Sequence, residues 1–281
     1  MTAAAPTAPT VGVGRIRSLL RTILRAPPYL ALTLLVLVAL IGPYLVRDPL
    51  ELSVGPRLSG PSTDFWFGTD QFGMDIFARV VNAARLDLGV GLGAAAIAVV
   101  IGMPLGAIAA YRGGAFDALV LRIAESLQAF PTLLLALGIV AALGPSIPNL
   151  VFIIALVNIP VYLRLTRSAV QPIVESDYVL AARCAGKRDS TILRRHVLPN
   201  VAEVVLAQFS VNVAWAIQIL AALSFVGLGV SLPTPEWGAM VRGGADYTTY
   251  GQWWVAVFPG LAIITTVLIL NFVADRFRQG Q

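Results

Sequence analysis

Long apolar blocks, separated by short polar or glycine- and proline-rich stretches, dominate the chain from residue 29 onward. Six of them approach the roughly 20 residues that a helix needs to cross a bilayer. They occupy residues 29–46, 88–111, 118–143, 147–163, 204–230 and 253–274. The pattern predicts an all-α polytopic membrane protein with six transmembrane helices. Arginines precede the first block, as they would in a secretory signal. That block is longer than a signal's apolar region, however, and "LIGPYLVRDP" offers no small-x-small cleavage site, so it is expected to stay as an anchor. Pro104, Pro131 and Pro160 predict kinks within the spans. The pairs Gly89/Gly93 and Gly102/Gly106 predict close helix approach. Trp66, Trp237, Trp253 and Trp254 are expected at the membrane–water boundary.

Composition agrees with this class. Charged residues are 12% of the chain and hydrophobic ones 57%, whereas a soluble domain carries about 25% charge. The formal net charge of +5 reflects loop arginines and not a nucleic-acid surface. With the N-terminus inside, the inner segments hold Arg15, Arg17, Arg21, Arg25, Arg112, Arg122, Arg164, Arg167, Arg183, Lys187, Arg188, Arg194, Arg195, Arg276 and Arg278. The outer loops hold only Arg47, Arg57, Arg79, Arg85 and Arg242. This asymmetry places both termini in the cytoplasm. The expected organisation is a cytoplasmic tail 1–28, a first helix 29–46, an external loop 47–87, a five-helix core 88–274 and a cytoplasmic tail 275–281. The opening stretch 1–14, all small residues, Pro and Thr, reads as disordered. Within the core, 164–203 is a cytoplasmic loop and 231–252 an external one.

The candidate chemistry is sparse. Cys184 is the only cysteine and His196 the only histidine, which excludes disulfides, Cys-based zinc sites and His–His metal motifs. The only "GK", Gly186-Lys187, is followed by Arg188 and lacks the first glycine of a phosphate loop. "GVGLGAAA" lies inside a span with no preceding strand, so it is not a dinucleotide fingerprint. No enzyme is expected, and no cofactor or metal in this chain. Asn158, Gln208, Asn212 and Gln218 are polar residues within the spans; they serve either as interhelical hydrogen bonds or as lining for a path. Arg122 and Glu125 read as a local ion pair. The external acids Asp70, Asp75, Glu236 and Asp246 either meet an external protein or solvate and cap their loops.

One segment breaks the apolar monotony: "DYVLAARCAGKRDSTILRRHVLPN", residues 177–200. Asp177 is a candidate N-cap for a short helix that Gly186 would stop. Asp189 or Ser190 would cap a second helix running up to Pro199. Ala181 and Ala182 would leave a slim ridge able to enter a groove on another protein. A loop binding lipid headgroups is the alternative.

"AARCAGKRDSTILRRHVLPN" resembles the EAA loop of permease subunits of type I ABC importers, matching at Ala181, Ala182, Gly186, Leu198 and Pro199. Leu180 stands where that motif carries its glutamate. "FGTDQFGMDIFARVVNAARLDLGVG" resembles the GTDxxGRDxxSR segment of the C-type subunit in dipeptide, oligopeptide and nickel permeases, with Met74 and Ala78 as departures. "LSFVGLGVSLPTPEWGAM" and "FPGLAIITTVLILNFVADRFR" resemble that subunit's last external loop and last span.

The resemblance implies a type I importer permease fold in the cytoplasmic (inner) membrane of a bacterium or archaeon. It implies a homologous B-type permease subunit, two ATP-binding subunits holding ATP and magnesium, and an extracytoplasmic substrate-binding protein. The loop at residues 181–199 would be the coupling helix seated on an ATP-binding subunit. The implied cargo is a di- or oligopeptide, with nickel or another small solute as the alternative. An ion-coupled secondary transporter is the distant rival; it expects ionisable residues near mid-membrane, and this sequence places few there.

Overall fold

The computed structural model describes residues 28–230 and 233–279. Among them the regular elements are all helical: α1 Pro28–Ile41, α2 Ile76–Arg112, α3 Gly114–Gln128, α4 Thr132–Leu143, α5 Ile147–Val174, α6 Asp177–Cys184, α7 Asp189–Ile192, α8 Leu198–Val226, α9 Trp237–Thr248 and α10 Trp254–Gln279. The disordered opening and Arg15, Arg17, Arg21 and Arg25 lie outside the described residues.

Among the described residues four helices are long and apolar enough to cross a membrane, and α3 with α4 makes a fifth if the bent pair is one span. The block 118–143 is therefore not a straight helix: it bends by 85° at Ala129–Pro131. Pro131 has no N–H to donate and disfavours helical backbone at Phe130. Pro104, Pro160, Pro172 and Pro259 stay inside continuous helices. Among the described residues the first apolar helix, Pro28–Tyr44 including its closing turn, is shorter than those four. A straight crossing takes roughly 20 residues.

Helix α2 has 37 residues. At a rise of about 1.5 Å per residue it extends about 55 Å, well beyond a hydrocarbon thickness of roughly 30 Å. The expected external loop therefore ends at Asp75, the N-cap whose side chain accepts the Phe77 N–H at 2.9 Å. The helix contact between α2 and α5 is the most extensive in the bundle, and glycine makes it possible. A Cβ on Gly102 would lie 2.8 Å from the Ile159 carbonyl oxygen, and one on Gly106 would strike that of Leu163. Gly89 and Gly93 do not serve this way. Nothing lies within 4 Å of a Cβ on Gly89, and Gly93 would make ordinary contact with Val151. Instead Gly91 faces α8, at Val213 and Ile217.

The segment between α1 and α2 folds back on the start of α2. Arg79 is buried there and donates to the carbonyls of Pro49 at 2.9 Å and Pro233 at 3.2 Å, tying this segment and the one before α9 to α2. Trp237 and Trp254 act as internal posts. Their indoles donate to the carbonyls of Val80 at 2.9 Å and Thr69 at 3.3 Å. Only Trp66 and Trp253 remain strongly exposed.

Candidate functional site

The basic segment folds as two short helices meeting at Gly186. Its backbone, at φ 71, is left-handed. Glycine adopts that conformation without steric penalty. The Gly186 N–H donates to the Arg183 carbonyl and that of Lys187 to the Ala182 carbonyl, a Schellman closure of α6. The helix starts differently from the sequence expectation. Ser176 and not Asp177 is the N-cap, and Arg188 precedes α7, so neither Asp189 nor Ser190 caps it. The Asp189 carboxylate is taken up by the Tyr111 hydroxyl, at 2.7 Å.

Pro199 does not end the second helix. The chain runs from α7 through a π turn at Leu193–Val197 directly into α8, and Pro199, which has no N–H to donate, falls just after that turn, where the regular ladder is already interrupted. The segment Asp189–Val226 is thus one 38-residue rod. Single π turns inside helices often mark functional positions.

An apolar cluster seats the knuckle. Val179, Ala182, Ile192 and Val197 pack with Ala107 and Tyr111 of α2 and Val170 of α5. Successive helical residues lie about 100° apart, so Ala181 and Ala182 cannot share the outer ridge. Ala182 is buried and Ala181 exposed. Around Ala181 the outer face carries Tyr178, Leu180, Cys184, Lys187 and Arg188, all exposed. Leu198 is half-buried and Pro199 exposed. Tyr111 pins this unit to α2: its hydroxyl also accepts from Arg183 Nε at 3.3 Å, and the Arg183 guanidinium sits 4.6 Å from its ring centroid. Sequence reading missed Tyr111, because its partners Arg183 and Asp189 lie far along the chain; an aromatic beside Arg112 at the basic end of a span was the available signal.

Midway along the bundle, Asn158, Gln208 and Asn212 line one cavity of about 320 Å³ with Gln128 and Thr132 from either side of the α3–α4 break. Gln208 donates to the Asn212 Oδ1 at 3.1 Å within α8, so this bond is local and not interhelical. The buried Asn158 amide nitrogen has no hydrogen-bond partner among the described residues. Gln218 stands apart, exposed, donating to the Ala214 carbonyl. Arg122 and Glu125 do not pair. The ion pairs among the described residues are Arg79–Asp70 and Arg167–Asp117. The second is a two-point fork at 2.6 and 2.7 Å that clamps α3 to α5.

The external acids divide. Asp70 is buried and accepts the N–H groups of Phe72 at 2.8 Å and Met74 at 3.0 Å. Asp75 caps α2, and Glu236 caps α9 by accepting from Gly238 and Ala239 at 2.7 Å each. Glu236 is 0% exposed and lies beside Asp87, also 0% exposed. Burial pushes the Glu236 carboxyl above its ordinary value of 4.5. These three carboxylates turn inward because backbone amides supply their bonds. Asp246 alone of the four faces outward, on the wall of a cavity.

The basic helical knuckle is continuous with a long apolar helix. Residues 102–280 match the family of binding-protein-dependent transport system inner membrane components. The chain belongs to that family. The permease is 41% identical over 250 residues to the dipeptide transport system permease protein DppC of Alkalihalophilus pseudofirmus, covering 89% of this chain and 82% of that one. To the di/tripeptide transport system permease protein DppC of Pseudomonas aeruginosa it is 39% identical, over 89% of this chain and 85% of that one. In fold it is similar to a chain of the MetNI methionine ABC transporter in an inward-facing conformation. The TM-score is 0.60 at 17% identity, covering 73% of this chain and 98% of that one. The permease is thus a multi-pass membrane subunit of an ABC importer, a transport component that works with ATP-binding subunits and a substrate-binding protein.

Proposed function

We propose that this permease carries short peptides across the cytoplasmic membrane of a bacterium or archaeon. It pairs with a homologous B-type permease above two ATP-binding subunits, which bind ATP and magnesium, and an extracytoplasmic binding protein supplies the peptide. The similarity to dipeptide permeases along most of the chain supports the cargo.

The continuity of α7 with α8 carries the mechanism. The knuckle at residues 177–199, with Ala181, Gly186 and Pro199 exposed, seats on an ATP-binding subunit. Closure of the ATP-binding subunits displaces the knuckle, and α8 moves with it as a rod. The mid-membrane amides of Asn158, Gln208 and Asn212 line the path and offer peptide groups hydrogen bonds without fixed charge. ATP and cargo favour different states of this two-state assembly, and that difference drives the cycle.

The test is uptake of radiolabelled dialanine into proteoliposomes holding both permeases and both ATP-binding subunits. Uptake should require ATP and the binding protein and should stop with vanadate. Uptake driven by a proton gradient without ATP would overturn the reading in favour of a secondary transporter.

A further inference from the structure

At the end of α8 remote from the knuckle, a second Schellman closure holds Gly227 in left-handed backbone. Helix α9 crosses this turn. Between them opens a cavity of about 670 Å³, lined among others by Ser224, Phe225, Gly227, Arg242, Asp246 and Tyr247. That size falls within the roughly 300–1,000 Å³ typical of small-molecule sites. Counting about 1.5 Å per residue along α8 puts it on the order of 40 Å from the knuckle.

Two charges face this space. The Arg242 guanidinium rests against the bare backbone of Gly227, where any side chain would collide with it. Asp246 lies one helical turn further along α9, a spacing at which Arg and Asp commonly pair. They do not. Neither residue has an ion-pair partner within 4.0 Å among the described residues, where the pairs are Arg79–Asp70 and Arg167–Asp117. Arg242 is also the only basic residue lining the cavity and Asp246 the only acidic one. One wall therefore presents a cation and an anion held apart, both available to a ligand.

We propose that this cavity receives the incoming substrate by its two charged ends. Arg242 takes a carboxylate and Asp246 an ammonium group. The ligand class is a short zwitterion with free termini, and Gly227 is the positioning residue that seats the guanidinium. The proposal rests on the peptide reading given above and adds to it a specificity-determining pair within this chain. A planar guanidinium can form two parallel bonds to a carboxylate, so Arg242 contributes geometry as well as charge.

The experiment uses the complete importer in proteoliposomes with saturating binding protein, and dialanine as the probe. Arg242→Gln should lower kcat/KM for dialanine uptake on the order of tenfold, the loss of one charge-assisted interaction, while Arg242→Lys recovers a substantial part of it. Asp246→Asn should produce a loss of similar size. Each variant should still co-purify with the partner subunits. Wild-type uptake by Arg242→Gln overturns the proposal. So does loss of partner subunits from the variant, which would make the wall an assembly interface. Loss of binding-protein affinity in Asp246→Asn, measured with substrate-free binding protein, overturns it in favour of a docking contact. If the wild-type importer takes up no dialanine, the peptide reading itself fails and takes this one with it; if wild type transports and the variants match it, only the charged-end assignment fails.

Discussion

Tyr111→Phe removes one hydroxyl from the joint between α2 and the knuckle and leaves the ring in place. In the native protein that hydroxyl donates to Asp189 at 2.7 Å and accepts from Arg183 at 3.3 Å, joining α6 to α7 through α2. A hydrogen bond to a charged partner contributes about 1.5–3 kcal/mol net, and a neutral one about 0.5–1.5 kcal/mol. Asp189 and Arg183 are both exposed to solvent, which screens them. Screening brings each bond down into the range of a neutral one, about 0.75 kcal/mol apiece and so about 1.5 kcal/mol for the pair. That corresponds to roughly a tenfold change in the local opening equilibrium. Hydrogen exchange followed by mass spectrometry on the assembled importer reads it directly: amides across residues 183–192 should exchange about tenfold faster, with α5 unchanged. The looser joint should also raise the ATP hydrolysed per substrate imported. Unaltered exchange in that segment would refute the claim that Tyr111 pins the knuckle.

Three further outcomes follow from the geometry. A Cβ at Gly186 meets open space, so Gly186→Asn, which tolerates left-handed backbone, should keep coupled transport. Gly186→Val, strained by about 1–2 kcal/mol, should lose most of it. Equal loss in both, scored by substrate-stimulated ATP hydrolysis, would show that the partner's groove and not the backbone sets the requirement. Gly106→Val should drive α2 from α5 and lower the melting temperature in detergent, an overpacking cost of about 1–3 kcal/mol, whereas Gly89→Ala should leave it unchanged. Finally, burial raises the Glu236 carboxyl, so the site it shares with Asp87 holds in the folded state a proton that the unfolded chain gives up near pH 4.5. The native state then binds more protons between those two values, so stability should fall as pH rises above 4.5 toward the folded value. Glu236→Gln should flatten that dependence in a melting series from acid to neutral pH, and an unchanged slope would contradict the assignment.

What was legible in the sequence is what depends on local composition. The apolar blocks mark where helices run, and Gly186 between two helix-forming stretches marks the knuckle, because left-handed backbone selects for glycine. The 85° break was not legible from proline alone: Pro104 and Pro160 sit in helices that continue through them, and Pro131 does not. The acids of the external segments were ambiguous for another reason. Asp75 and Glu236 each stand directly before a helix, a capping signal, but only tertiary structure shows that Glu236 is sealed beside Asp87. Nothing local could have joined Arg79 to Pro233, or Tyr111 to Asp189, since those contacts exist only once distant segments meet. The amides of Asn158 and Asn212 were recognisable as costly in lipid, yet the cavity that collects them with Gln128 appears only after α3 turns away from α4.

The central claim is that the knuckle is the surface through which an ATP-binding subunit moves this permease. Cys184, the only cysteine of the chain, is exposed at the last residue of α6 and reports on that surface with no engineering. The rate of maleimide labelling should drop sharply when the purified permease assembles with its ATP-binding subunits, and a short thiol-to-amine reagent should then link Cys184 to a lysine of the neighbouring chain. Equal labelling of free and assembled permease, with no cross-linked product, would contradict the account.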